Sequence, residues 1–183
     1  MEERLIIAGF GGQGVMSMGQ LLAYAGMVEN KNVSWLPSYG PEMRGGTANC
    51  NVIISDGLIG SPIVTEATTA IIMNKPSLDK FEKDVEKGGN ILINSSLIDR
   101  KAERTDINAY YIPANEIANE LGNSKIANMV MLGAYLELTK AVKIESIVEA
   151  FKKVFGESKS HLIPINQEAL EKGAEAVRVK VNS

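Results

Sequence analysis

The chain has 183 residues, a formal net charge of −3, 45% hydrophobic residues, 22% charged residues and a single cysteine. That length suits one well-cored domain over 1–183 and gives little support for two. The slightly acidic balance argues against a nucleic-acid surface, which would need a basic excess. One thiol excludes an internal disulfide and an iron–sulfur cluster held by this chain alone, because such clusters draw on several thiolates.

Met1-Glu2-Glu3-Arg4 carries acids and leads into a short apolar strand, Leu5 to Ala8. It does not read as a signal peptide, and no run approaches the ~18 apolar residues of a membrane helix. A cytoplasmic protein without membrane contact is expected. The strand gives way to Gly9-Phe10-Gly11-Gly12-Gln13-Gly14 and then to a helix over Val15 to Glu29, with Met16, Leu21, Leu22 and Ala25 on its buried stripe. Strand, glycine turn and helix in that order present backbone N–H groups to an anion.

Gly9, Gly11 and Gly14 fit the G-x-G-x-x-G template in the strand-to-helix context it requires. A dinucleotide unit also needs an Asp or Glu at the end of the second strand to hold the ribose. Here that strand is Asn32-Val33-Ser34-Trp35-Leu36, followed by Pro37-Ser38-Tyr39-Gly40, and no carboxylate ends it. A P-loop fails too, since Val15-Met16 stand where Lys and Ser or Thr belong. Two readings stay open: a general phosphate-binding or backbone-approach turn, or glycines that let the helix pack closely on the sheet.

A second glycine segment, Ser38-Tyr39-Gly40-Pro41-Glu42-Met43-Arg44-Gly45-Gly46, puts a proline, a carboxylate, an arginine and several glycines into one turn. Thr47 to Ser55 follows as a strand. Asp56-Gly57 is a hairpin signal, with Leu58 to Val64 returning beside that strand. Ala70 to Met73 is an apolar run suited to a strand buried on both faces. Pro76 to Lys87 reads as an amphipathic helix closed by Gly88-Gly89. Ile91 to Asn94 and Ala109 to Ile112 are further strands, so elements alternate as in a βαβ sheet, and the fold class is α/β with a mostly parallel sheet.

The remainder is helical: Asn115 to Leu121, Ala127 to Leu138, Ile144 to Phe155 and Gln167 to Val177. The second of these is apolar nearly all round and must be buried by something, either a partner subunit or the sheet of this chain. Cys50, in a strand pattern, reads as apolar filler, and Met129 and Met131 in the apolar helix as deformable packing. Trp35 is expected in the core or beneath the 38–46 turn. His161 has no second histidine to join it in a metal site.

Gly-Phe-Gly-Gly-Gln-Gly at the first helix, Ser-Tyr-Gly-Pro-Glu-Met-Arg-Gly-Gly at 38–46, Ile59-Gly60-Ser61-Pro62 and Asn128-Met129-Val130-Met131-Leu132-Gly133 stand in one order. In these motifs, over nearly the whole chain, the sequence resembles the γ subunits of 2-oxoacid:ferredoxin oxidoreductases. The residue after Ser38 is tyrosine, which resembles the 2-oxoisovalerate and 2-oxoglutarate types more than the pyruvate type. The resemblance implies a Rossmann-like three-layer α/β/α domain with a hairpin edge near Asp56-Gly57 and a helical C-terminal part.

It further implies a subunit that works with α and β subunits, and in some assemblies a ferredoxin-like δ subunit, to oxidise a 2-oxoacid to acyl-coenzyme A. Ferredoxin accepts the electrons, while thiamine diphosphate and the iron–sulfur clusters belong to partner subunits. This chain would hold no cofactor alone, but would touch coenzyme A. Gly9, Gly11, Gly12 and Gly14 would shape the first loop, and Gln13 would face ligand or a neighbouring chain. Ser38, Tyr39, Gly40, Pro41, Gly45 and Gly46 would build the second turn, around Arg44 as a charged contact to phosphate or carboxylate. Glu42 would orient Arg44 or pair with a partner subunit, or the two would merely pair with each other on an exposed loop. Asn128 would hydrogen-bond to backbone or ligand. The rival is a free-standing nucleotide- or dinucleotide-binding domain with no obligate partner.

Overall fold

The computed structural model describes residues 1–38 and 47–181. Tyr39, Gly40, Pro41, Glu42, Arg44, Gly45 and Gly46 of the second glycine turn therefore lie outside the described residues. Six strands form one sheet in the order β2-β3-β1-β4-β5-β6. They are β1 (Glu2–Phe10), β2 (Asn32–Ser38), β3 (Thr47–Ser55), β4 (Ala67–Ile72), β5 (Val85–Asn94) and β6 (Asn108–Ile112). β1, β4, β5 and β6 pair in parallel, whereas β3 runs antiparallel to both its neighbours, β1 and β2. The sheet is thus mostly parallel, as expected, with its one reversed strand between β1 and β2.

Because side chains alternate across a strand, β1 feeds two cores. Leu5 and Ile7 join one, together with Cys50, Val52, Ile71 and Leu92, while Ile6 and Ala8 join the other with Ala70, Ile72 and Ile93. Over the first face lie α1 (Val15–Val28), α3 (Ala114–Glu120), α4 (Ala127–Thr139), α5 (Ile144–Phe155) and α6 (Ile163–Val181). Over the second, among the described residues, lies only α2 (Lys75–Phe81), which contributes Leu78 and Phe81, with Val64, Ile98 and Ile107 from connecting segments. The three layers are therefore unequal.

Two sequence expectations need correction. No strand returns after Asp56-Gly57: Leu58 to Val64 is irregular, with Leu58 95% and Ile63 60% exposed. β3 already has β1 on one side and β2 on the other, so neither edge is free for a further partner. The antiparallel edge is β2 on β3 instead. Nor does a helix run from Pro76 to Lys87. α2 stops at Phe81, one 3₁₀ turn covers Glu82–Asp84, and β5 begins at Val85.

Gly88-Gly89 lies inside that strand and makes an irregularity in the pairing between Ala67 and Thr69 of β4. Gly88 takes φ of +81°, a conformation that favours glycine, and its N–H donates to the Asp106 carbonyl at 2.8 Å. Helix-breaking glycines here punctuate a bulged strand. The remaining helices fall within a few residues of expectation, except that α6 starts four residues earlier than Gln167, at Ile163.

The apolar helix is buried by this chain. α4 packs against α6, α3, α1 and β5, and buried residues surround it from Ala127 through Leu136. Gly133 and Gly173 allow the approach: a Cβ on Gly133 would run into the Leu170 carbonyl, and one on Gly173 into the Val130 carbonyl. Small residues at this crossing let two backbones touch.

Candidate functional site

β1 and β4 are parallel neighbours whose continuations leave on opposite faces, β1 into α1 on the first and β4 into α2 on the second. Such a switch point opens a crevice at the carboxyl ends of the strands, where α/β sheets bind their ligands. The glycine segment occupies it. Gly14 is the N-cap residue of α1 with φ of +76°, and no side chain caps the helix or places an acid in its first turn. Gly12 also has positive φ, at +91°.

The loop is held from both sides. Gln13 Oε1 accepts from the Phe10 N–H at 2.6 Å, and its Nε2 donates to the Met73 carbonyl at 3.2 Å. The amide therefore clasps the end of β1 to the end of β4 across the crevice. Its carbonyl and one amide hydrogen are committed inside the chain, a structural duty that the sequence reading did not assign to it. Gly9 makes room for the clasp, since a Cβ there would come within 2.6 Å of Gln13 Oε1 and 2.7 Å of Met73 Cβ. From the other side, Asn128 Nδ2 points at the Gly14 carbonyl at 3.4 Å. Of the two partners expected for Asn128, the backbone is the one seen. Any side chain on Gly14 would collide with Asn128 as well as suffer its positive φ.

The second motif is joined to the same end of the sheet. Ser38 ends β2, exposed and paired with Asn49, while Thr47 opens β3 and pairs with Phe10. The two residues that bracket positions 39–46 are thus anchored on the strands beside the glycine loop. β2 carries no carboxylate between Asn32 and Ser38, so its end supplies nothing to hold a ribose. Trp35 packs inward on the α1 face, where its indole nitrogen and Cys50 Sγ both crowd Gly19. Burial pushes the Cys50 thiol up to about 12, which leaves it protonated and inert.

Two cavities meet over the loop. One, of about 350 Å³, is lined by Phe10, Gly11 and Ala48 with the first-turn residues Val15, Met16 and Ser17. The other, of about 460 Å³, lies on the helical side between α1, α4 and α5. Both include Gly12, Gly14 and Ser17 in their walls.

Sequence reasoning missed Asn74. It is 2% exposed at the end of β4, and its Oδ1 accepts from the Ser77 N–H at 3.0 Å to cap α2, while its Nδ2 has no partner among the described residues. Asn followed by proline two residues on is an N-cap signature that could have shown it. His161 is exposed, with Nδ1 3.1 Å from the Ser158 carbonyl. Among the described residues no helix is long and apolar enough to cross a membrane.

Fold and loop define a class: a Rossmann-like α/β domain with an uncapped glycine loop at its topological switch point. The family is shown by comparison. Residues 4–176 match the pyruvate ferredoxin/flavodoxin oxidoreductase family, and the chain belongs to it. It is 43% identical over 178 residues to ketoisovalerate oxidoreductase subunit VorA of Methanothermobacter marburgensis, a match covering 97% of this chain and 37% of that protein. The chain thus spans little more than a third of that relative's length. To 2-oxoglutarate synthase subunit KorC of Methanocaldococcus jannaschii it is 36% identical over 153 residues, 82% of each.

Among solved structures, the keto/oxoacid ferredoxin oxidoreductase gamma subunit from Geobacter sulfurreducens superimposes with a TM-score of 0.82 at 28% identity, covering 97% of this chain and 99% of that one. The 2-oxoglutarate:ferredoxin oxidoreductase from Magnetococcus marinus, with 2-oxoglutarate, coenzyme A and succinyl-CoA bound, gives 0.87 at 23% identity over 97% of this chain and 31% of that one. The latter likeness is one of fold.

Proposed function

We propose that this chain is the γ-type subunit of a multisubunit 2-oxoacid:ferredoxin oxidoreductase, acting as one unit over its whole length and completing a coenzyme A site on partner subunits. The observation that carries it is the loop from Gly9 to Gly14 at the switch point, uncapped by any side chain and open to a cavity, in a chain of this family. Backbone N–H groups at a helix N-terminus stabilise a phosphate without base or metal. Coenzyme A brings phosphates, and the Magnetococcus enzyme is described with it bound. Gly11, Gly12, Gly14 and Ser17 would hold the anion, and Arg44 of the second turn would add charge, oriented by Glu42.

When bound to the partners, thiamine diphosphate supplies the decarboxylation chemistry and iron–sulfur clusters carry electrons to ferredoxin. This chain offers no set of thiolates for a cluster: its one thiol, Cys50, is buried and protonated. Its part is to bind and position. The α and β subunits would sit against the glycine-loop end of the sheet, and the 2-oxoacid would be read there, which agrees with relatives named for two different acids, ketoisovalerate and 2-oxoglutarate. The assembly would be cytoplasmic.

The test is reconstitution. The purified chain alone is expected to show no coenzyme A-dependent oxidation of 2-oxoisovalerate or 2-oxoglutarate, followed by reduction of ferredoxin or a viologen dye. Co-expression with α and β partners should restore it. Turnover of either acid by the chain alone would overturn the proposal.

A further inference from the structure

We infer that the cavity of about 460 Å³ beside the glycine loop is a nucleotide-phosphate site in which Lys125 and Lys159 take the phosphate charge. The inference rests on the coenzyme A reading and extends it to residues that lie outside every motif. The cavity's volume falls in the range of small-molecule sites, roughly 300–1,000 Å³. Its wall is chemically divided.

On one side stand Lys125, from the 3₁₀ turn that precedes α4, and Lys159, from the 3₁₀ segment that follows α5. Asn123, Asn128 and Asn166 also line it, and among the described residues no carboxylate does. In a chain with a net charge of −3, a cavity whose described wall carries two cations and no anion stands apart. The contrast within the molecule is sharp: the cavity along α6 near Glu137 is walled by four glutamates that face one lysine and one arginine.

Neither lysine is used elsewhere. Lys31, Lys140 and Lys172 all make ion pairs, whereas no ion pair among the described residues involves Lys125 or Lys159. They come from separate segments, 34 positions apart, and reach the same cavity because the start of α4 and the end of α5 both line it beside the start of α1. Asn123 fixes the turn that carries Lys125, its Oδ1 accepting from the Lys125 N–H at 3.0 Å. Asn166 is 9% exposed, and its Nδ2 donates to the Leu162 carbonyl at 2.8 Å.

On the other side the wall is apolar, formed by Met129, Phe151 and Phe155, the two rings 4.6 Å apart. Aromatic and thioether surface beside cations suits a ligand with a flat ring at one end and phosphates at the other. The nucleotide end of coenzyme A has that form. Gly12, Gly14 and Ser17, shared by both cavities, join this site to the loop, so one ligand can lie across them. Its ring would rest on the phenylalanines and its phosphates would lie between the lysines and the start of α1. Lysine acts there as a point charge on phosphate.

Calorimetry on the full chain with adenosine 3′,5′-bisphosphate tests this, because it needs neither partner subunits nor turnover. Saturable binding is expected, weakened at least fivefold in the Lys125→Gln/Lys159→Gln variant and reduced by salt, with the melting temperature unchanged. Adenosine itself should bind at least fivefold more weakly than the bisphosphate. No binding, a loss smaller than fivefold in the variant, or adenosine binding as tightly as the bisphosphate would each overturn the proposal. Reconstitution failing while the bisphosphate result holds would condemn the subunit reading and leave the site standing.

Discussion

Gln13 is the residue on which the glycine loop depends. Its side chain spans from the Phe10 N–H to the Met73 carbonyl and ties two strand ends together. Replacing it with alanine leaves a half-exposed N–H and a carbonyl without this partner, at a cost of about 1 kcal/mol. Gln13→Ala should therefore lower the melting temperature only slightly, yet weaken adenosine 3′,5′-bisphosphate binding, since the first-turn N–H groups lose their fixed aim. Calorimetry and thermal unfolding of the same variant separate the two. A variant that binds as the parent does would mean that the clasp is not needed for a formed loop. The sequence shows that Gln13 sits among glycines, but not that Met73 is opposite it. That contact spans sixty positions and exists only because β4 lies beside β1.

At the level of elements, the crossing of α4 and α6 holds the helical layer together. Gly133 and Gly173 face each other's helix backbones, and either Cβ would strike a carbonyl. Backbone cannot move aside as a flexible side chain can, so Gly133→Ala should destabilise by about 1–3 kcal/mol or more through overpacking. Chemical denaturation would show it as a lower midpoint, and an unchanged midpoint would mean that α6 can slide. α4 also shows what a pattern can tell. Its all-round apolarity demanded burial, and burial is what it has, but a sequence cannot say whether the cover is a partner or the same chain. The 85–90 segment shows the opposite difficulty. Gly88-Gly89 has the composition of a helix stop, while its bulged pairing with β4 is a long-range event that composition does not encode.

For the whole molecule, the end of α4 is tied to α6 by charge. Glu137 accepts from Arg178 at 3.0 Å and from Lys140 at 2.9 Å, which lowers its pKa from 4.5 to about 2. A folded-state pKa below the unfolded one means that the carboxylate stabilises the fold above about pH 4.5, and that this contribution is lost as pH falls toward 2. Glu137→Gln should therefore lower the melting temperature at neutral pH, modestly because the pair is partly exposed, and converge with the parent as pH falls toward 2, so that its fall across that acid window is flatter. Equal acid sensitivity of variant and parent would place the linkage on other carboxylates.

By itself the sequence determined the α/β class, the strand-to-helix position of the glycine loop, the lack of an acid to hold a ribose and the family resemblance. These are all local matters, set by periodicity, by backbone freedom at glycine and by side-chain types in a fixed order. The tertiary structure decided which strands are neighbours, and with that the reversed β3, the clasp from Gln13 to Met73, the self-burial of α4 and the placing of Lys125 and Lys159 on one cavity. Each of these depends on segments distant in the chain, whose contacts follow from packing both faces of one sheet and not from any short stretch of residues.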